Sequence, residues 1–234
     1  ENTSGTVTLE GTIASSNDAI SFGNVTSGGT FTIDTNASSN AGDITIGAIA
    51  GSVGDTITLK TGNNVSGADV TVSGAVSGSS NFQLLNVGGT ATFNDNITVA
   101  TFTTNTTVAN VAFNGGSNIF QSSVNFSNDG TLTFGNASGD SSTFNGGLTT
   151  TSVGGTVTLE GTIATSNDAI VLGAVTLGGN TTIDTNATSS NNGDITVAAI
   201  TGGSNNLTLS TGNNISGADI IASGAISGLG NLTL

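Results

Sequence analysis

The sequence predicts an all-β chain wound into a parallel, right-handed β-solenoid (β-helix), with about 25 residues and three short strands per turn and about nine to ten turns in 234 residues. Three observations carry this. Residues 6–78 return almost unchanged at 156–228. A four-residue strand signature recurs about every 25 residues. Apolar and polar residues alternate with period two between clusters of Gly, Asn, Ser and Asp, and no segment shows helical spacing.

The first strand of each turn is the signature itself, as in Thr6-Val7-Thr8-Leu9, Thr30-Phe31-Thr32-Ile33, Thr56-Ile57-Thr58-Leu59, Thr131-Leu132-Thr133-Phe134 and Thr156-Val157-Thr158-Leu159, with a blurred copy at Thr107-Val108-Ala109. Two further apolar clusters follow in each turn, such as Asp43-Ile44-Thr45-Ile46 and then Ala48-Ile49. Stacked at one period, Val7, Phe31, Ile57, Phe82, Leu132, Val157, Leu207 and Leu232 form one inward column, and Leu9, Ile33, Leu59, Leu84, Phe134, Leu159, Ile183, Leu209 and Leu234 the next. On this reading the long duplication is a whole number of turns, six, and stays in phase. Each buried side chain contributes roughly 1.5–3 kcal/mol, which offsets the cost of ordering the backbone only where neighbouring turns cover it. Links between parallel strands of one sheet are right-handed in about 98% of cases, hence the expected hand.

The chain reads as one continuous solenoid, 1–234, with a first aliphatic segment (1–80), a middle (81–155) holding eight of the ten Phe, and a second copy of the first segment (156–234). The Phe side chains are expected inside, in a wider core.

Composition removes many functions. The chain has no Cys, His, Met, Trp, Tyr or Pro, so disulfides and thiolate or imidazole metal sites are absent. A net charge of −14 with a single cation, Lys60, disfavours nucleic acid and anionic membranes as partners. No apolar run is long enough to span a bilayer, and no signal peptide is visible. Beginning without Met and stopping on a core-type residue, Leu234, the sequence reads as a cut piece or a polymer subunit. Open ends of a solenoid expose strand edges, so copies of the chain are expected to meet end to end.

The stretches GTVTLEGTIASSNDAISFGNVTSGG and GTVTLEGTIATSNDAIVLGAVTLGG resemble the passenger and shaft regions of secreted bacterial β-helix proteins of the filamentous-haemagglutinin and autotransporter type. The resemblance covers the whole chain as texture and brings no diagnostic motif. It implies an extracellular or cell-surface shaft for adhesion, biofilm or filament formation, with cell-surface or matrix glycans as partners and no catalytic residue.

Three features could bear chemistry. Asp18, Asp43, Asp69, Asp95, Asp168, Asp194 and Asp219 fall at similar places in their turns. If stacked about 4.8 Å apart, they repel by roughly 0.9 kcal/mol per neighbour even in water. Calcium could bridge Asp18, Asp43, Asp69, Asp168, Asp194 and Asp219. The plainer reading is that each accepts hydrogen bonds from its own turn, because the glycine- and aspartate-rich nonapeptide of calcium-binding rolls is missing. Outward Thr residues, including Thr6, Thr30, Thr56, Thr131 and Thr156 beside Thr8, Thr32, Thr58, Thr133, Thr158, Thr182, Thr208 and Thr233, suggest a T-x-T array on one flat face, similar to ice-binding solenoids. Strand propensity alone also explains Thr there. Finally, parallel β-helices host carbohydrate-binding and carbohydrate-active proteins, and paired carboxylates can serve glycoside chemistry. Here Glu10 and Glu160, or Asp34 and Asp184, sit in equivalent turns rather than around one cleft, and Lys60 has Ser210 as its counterpart, so no enzyme is expected. The Asn-x-Ser/Thr triplets at Asn24, Asn36, Asn64, Asn96, Asn206 and Asn214 arise by chance in so Asn-, Ser- and Thr-rich a chain.

Overall fold

In the computed structural model, which describes residues 2–39, 42–62, 65–78, 80–187, 193–212 and 217–234, the strands join in one 24-stranded sheet coiled about a single axis. Every strand pairing in register is parallel, linking each strand to its equivalents one turn before and after. The result is a β-solenoid of about nine turns, and none of the described residues is helical. At strand spacing this is a rod about 43 Å long.

Three faces alternate along the chain. Face A begins with Val7 over Val25, then Ile49 over Val76. Face B begins with Ile13 over Ile33 over Leu59 over Leu84. Face C runs through ten rungs: Ile20, Ile44, Val70, Ala91, Val111, Leu132, Val157, Val175, Ile200 and Ile226. Period-two alternation holds within each rung, as at Asn81–Leu84, where Phe82 and Leu84 are buried and Asn81 and Gln83 are half-buried.

Turn length is not uniform, and this corrects the expected columns. The path from Val7 to its partner Val25, like that from Val157 to Val175, is short; the path from Ile33 to Leu59 is long, and that from Phe82 to Phe102 falls between them. Phe31, Ile57 and Phe82 do stack, as do Leu132 with Val157 and Leu207 with Leu232. Val7 does not lie on Phe31, nor Leu159 on Ile183; Leu159 pairs with Leu177. The signature sometimes returns after one turn and sometimes after one turn plus one face. The blurred copy at Thr107–Ala109 is a corner, with Val108 buried beneath it.

The duplication is therefore out of phase. Val7 is in the first rung of face A and Val157 in the seventh rung of face C, so the step from one copy to the next winds six turns and two further faces. Each element of the second copy occupies the face preceding that of its twin. Local structure is nonetheless reproduced. Gly11 and Gly161 turn the chain from one face to the next at φ 77 and 83, where a side chain is disfavoured. Asn36 and Asn186 are left-handed at φ 46 and 49. Thr35 donates to the Gly42 carbonyl and Thr185 to that of Gly193, both at 2.6 Å.

The middle is filled by aromatic rings. Phe93, Phe113 and Phe134 stack along face C at 5.1 and 5.2 Å, Phe120 and Phe144 along face A at 4.6 Å, and Phe82 and Phe102 along face B at 5.6 Å. Between faces the rings meet edge to face, as do Phe113 and Phe120 at 5.3 Å. All eight Phe of this segment are buried. The chain encloses them in a shorter path, not the longer one that a wider core suggests: on face C the steps from Ala91 to Val111 and from Val111 to Leu132 are shorter than that from Ile44 to Val70.

Candidate functional surfaces

The acidic residues do not form one row. Asp43 and Asp69 stand at the start of face C, one residue before Ile44 and Val70, with Asp18 two residues before Ile20. Asp168, Asp194 and Asp219 lead instead into Ile170, Ile195 and Ile220, which stack on face B above Val124 and Leu148. Asp95 precedes Ile97, which bridges to Val76 on face A. The phase shift of the duplication separates the two sets.

Asp43, Asp69 and Asp194 serve the backbone of the following turn, whereas Asp95 Oδ1 accepts the Asn96 N–H of its own turn at 2.7 Å. Asp43 Oδ1 accepts the Asp69 N–H at 2.9 Å, Asp69 Oδ1 that of Thr90 at 2.7 Å, and Asp194 Oδ1 that of Asp219 at 2.8 Å. Neutral residues do the same: Asn24 accepts from Ala48 N–H at 3.0 Å, Asn96 from Ser117 at 2.8 Å and Asn110 from Thr131 at 2.9 Å. These bonds pair main-chain donors that the ladder leaves over where the chain enters a face. Glycine makes room for them, since a Cβ on Gly89 would lie 2.0 Å from Asp69 Oδ1. Among the described residues, no group of three or more acidic side chains is close enough to hold a metal ion. Of the six calcium candidates, Asp43, Asp69 and Asp194 thus hold main-chain donors in the wall. Of the Asn-x-Ser/Thr triplets, Asn64 and Asn214 lie outside the described residues.

Lys60 is the next-turn partner of Asp34, with Nζ 2.7 Å from Oδ2, while the same carboxylate accepts the Asn36 N–H. In the second copy Asp184 retains the bond from Asn186 and faces Ser210. Glu10 and Glu160 lie at two different corners, where face A gives way to B and face C to A. They cannot meet across one cleft. A cleft of about 540 Å³ does open where the Phe-rich turns meet the second copy, lined in part by Asn125, Gly146, Gly147, Asp168 and Asp194.

The expected T-x-T array is dispersed as well. Thr8 lies on face A, Thr32 and Thr58 on face B, Thr133 and Thr158 on face C, and Thr182, Thr208 and Thr233 on face A. A different ladder is continuous. Between the inward columns of face C, the outward residue of successive rungs is Ser21, Thr45, Thr71, Thr92, Ala112, Thr133, Thr158, Thr176, Thr201 and Ser227. Five of its Thr, at 45, 71, 92, 176 and 201, lie outside the array read from the sequence. The available signal was a Thr at the centre of nearly every Ile/Val-Thr-Ile/Val/Leu/Phe cluster.

Compared with known proteins, the chain matches no family model, and no curated protein or solved structure is similar enough to count as a relative.

Proposed function

We propose that the chain is a segment of a stiff extracellular shaft, a structural and interaction protein and not an enzyme. The observation that supports this is the interchangeability of its turns. The same stretch of sequence settles onto different faces with the same corner dihedrals and hydrogen bonds, so a rod of such turns can be lengthened without redesign. Parallel ladders run along the axis on every face, and load along the rod is shared among stacked main-chain bonds. The charge of −14 keeps the sides of neighbouring rods apart.

An uncovered rung is apolar: Leu232 and Leu234 are 41% and 79% exposed. Copies stacked end to end, each continuing the ladders of the last, are part of this proposal. Electron microscopy of the native material, with antibody labelling of intact cells, tests the reading. Rods or filaments labelled at the cell surface are expected. Compact particles confined to the cell interior would overturn it.

A further inference from the structure

We propose that face C binds ice, through its ladder of outward threonines. Seven of the ten rungs place Thr at the same position, flanked by Ser21 and Ser227 and interrupted only by Ala112. Parallel pairing fixes the spacing along the axis at about 4.8 Å, so the row is a regular array of equivalent groups. Because β-branched side chains are stiff at χ1, the row presents methyl and hydroxyl groups in few orientations. Little freedom remains to be lost when water orders over it.

The hydroxyls of this row differ from those of the buried threonines. Thr35, Thr61, Thr165, Thr181 and Thr185 each donate to a main-chain carbonyl. Among the described residues, no hydrogen bond from the side-chain hydroxyl of Thr45, Thr71, Thr92, Thr133, Thr158, Thr176 or Thr201 to protein is present, and all seven are half-buried or exposed. Their hydroxyls face solvent along one line. From Thr92 to Ser227 neither the ladder nor the position two residues before each of its members carries charge: those positions are Thr90, Asn110, Thr131, Thr156, Ala174, Ala199 and Ala225. A sugar polymer is the less suited occupant, because eight of the ten rings lie buried in the middle of the rod and no Trp or Tyr exists to stack on a pyranose.

Ice growth in a solution of the chain, followed by nanolitre osmometry, decides the matter. Faceted crystals and a gap between melting and freezing are expected for the unmodified chain. With Thr133→Lys and Thr176→Lys together, the gap should vanish and the crystals become round while the circular-dichroism melting curve is unchanged. Thr32→Lys with Thr208→Lys, placed on faces B and A, should leave both intact. Round crystals with the unmodified chain, an equal loss in the two double variants, or adsorption to crystalline cellulose or chitin but not to ice would each overturn the proposal.

Discussion

Val7 and Val157 share their sequence surroundings yet occupy different faces of the solenoid, Val7 stacking on Val25 in face A and Val157 on Val175 in face C. The inward side of the strand is kept and its position around the axis is not. Inside and outside are fixed by alternation; the face is fixed by how much chain the preceding turns used.

Cysteine pairs read this register directly, since the chain has no Cys of its own. Thr158→Cys with Thr176→Cys places the two thiols on adjacent rungs, about 4.8 Å apart at Cα, within the span a disulfide allows. Oxidation should close it, giving a gel shift reversed by reductant. Thr158→Cys with Thr182→Cys, the pair that an unbroken sequence period would join, should stay reduced.

Lys60→Ser recreates the arrangement of the second copy at Asp34. Because Lys60 is 32% exposed and Asp34 keeps its bond from Asn36, the expected loss is about 0.2–1 kcal/mol. Urea titration at low and high salt should show the difference shrinking as salt rises.

Gly89→Ala forces a methyl group against Asp69 Oδ1 and, at 2.8 Å, the Ala68 carbonyl oxygen. A cost of about 1–3 kcal/mol is expected. Gly139→Ala is the control, as nothing lies within 4 Å of its added carbon. The lowered melting temperature should appear in the first variant alone.

Phe113→Ala removes a ring that touches Phe93, Phe102, Phe120, Phe126 and Phe134. About 3–5 kcal/mol should be lost. Because each turn contacts only its neighbours, the denaturant transition is expected to split, with the two flanking aliphatic segments unfolding separately. Phe113→Leu should keep a single transition.

Asp69→Asn keeps an acceptor for the Thr90 N–H and removes a charge facing Asp43, so stability should hold or rise. Asp69→Ala leaves that donor without its partner and should cost about 1 kcal/mol. Chelator should not move the melting temperature of the unmodified chain; a drop of several degrees would restore calcium as the link between turns.

Much of this architecture was legible in the sequence. Alternation in clusters such as Asn81-Phe82-Gln83-Leu84 marks inward residues, and Gly and Asn mark corners, so the parallel solenoid and the buried Phe follow. Face assignment did not follow, because Thr6-Val7-Thr8-Leu9-Glu10-Gly11-Thr12-Ile13 looks like one strand while Gly11 bends it across two faces. Alternation continues through that bend and conceals it. The acidic row and the threonine array were misplaced for the same reason: both were stacked by sequence period, whereas the turns vary from the short path joining Val7 to Val25 to the long one joining Ile49 to Val76. The hydrogen bond from Asp69 N–H to Asp43 was also out of reach, since it depends on which residues stand one turn apart.

The two-face offset of the duplication acts like the pitch of a screw thread. Were such blocks added in series, a mark carried by each would trace a spiral around the rod and come back to its starting side only at every third block. A flat neighbour lying alongside would then meet one block in three, while a soft or encircling one would meet them all.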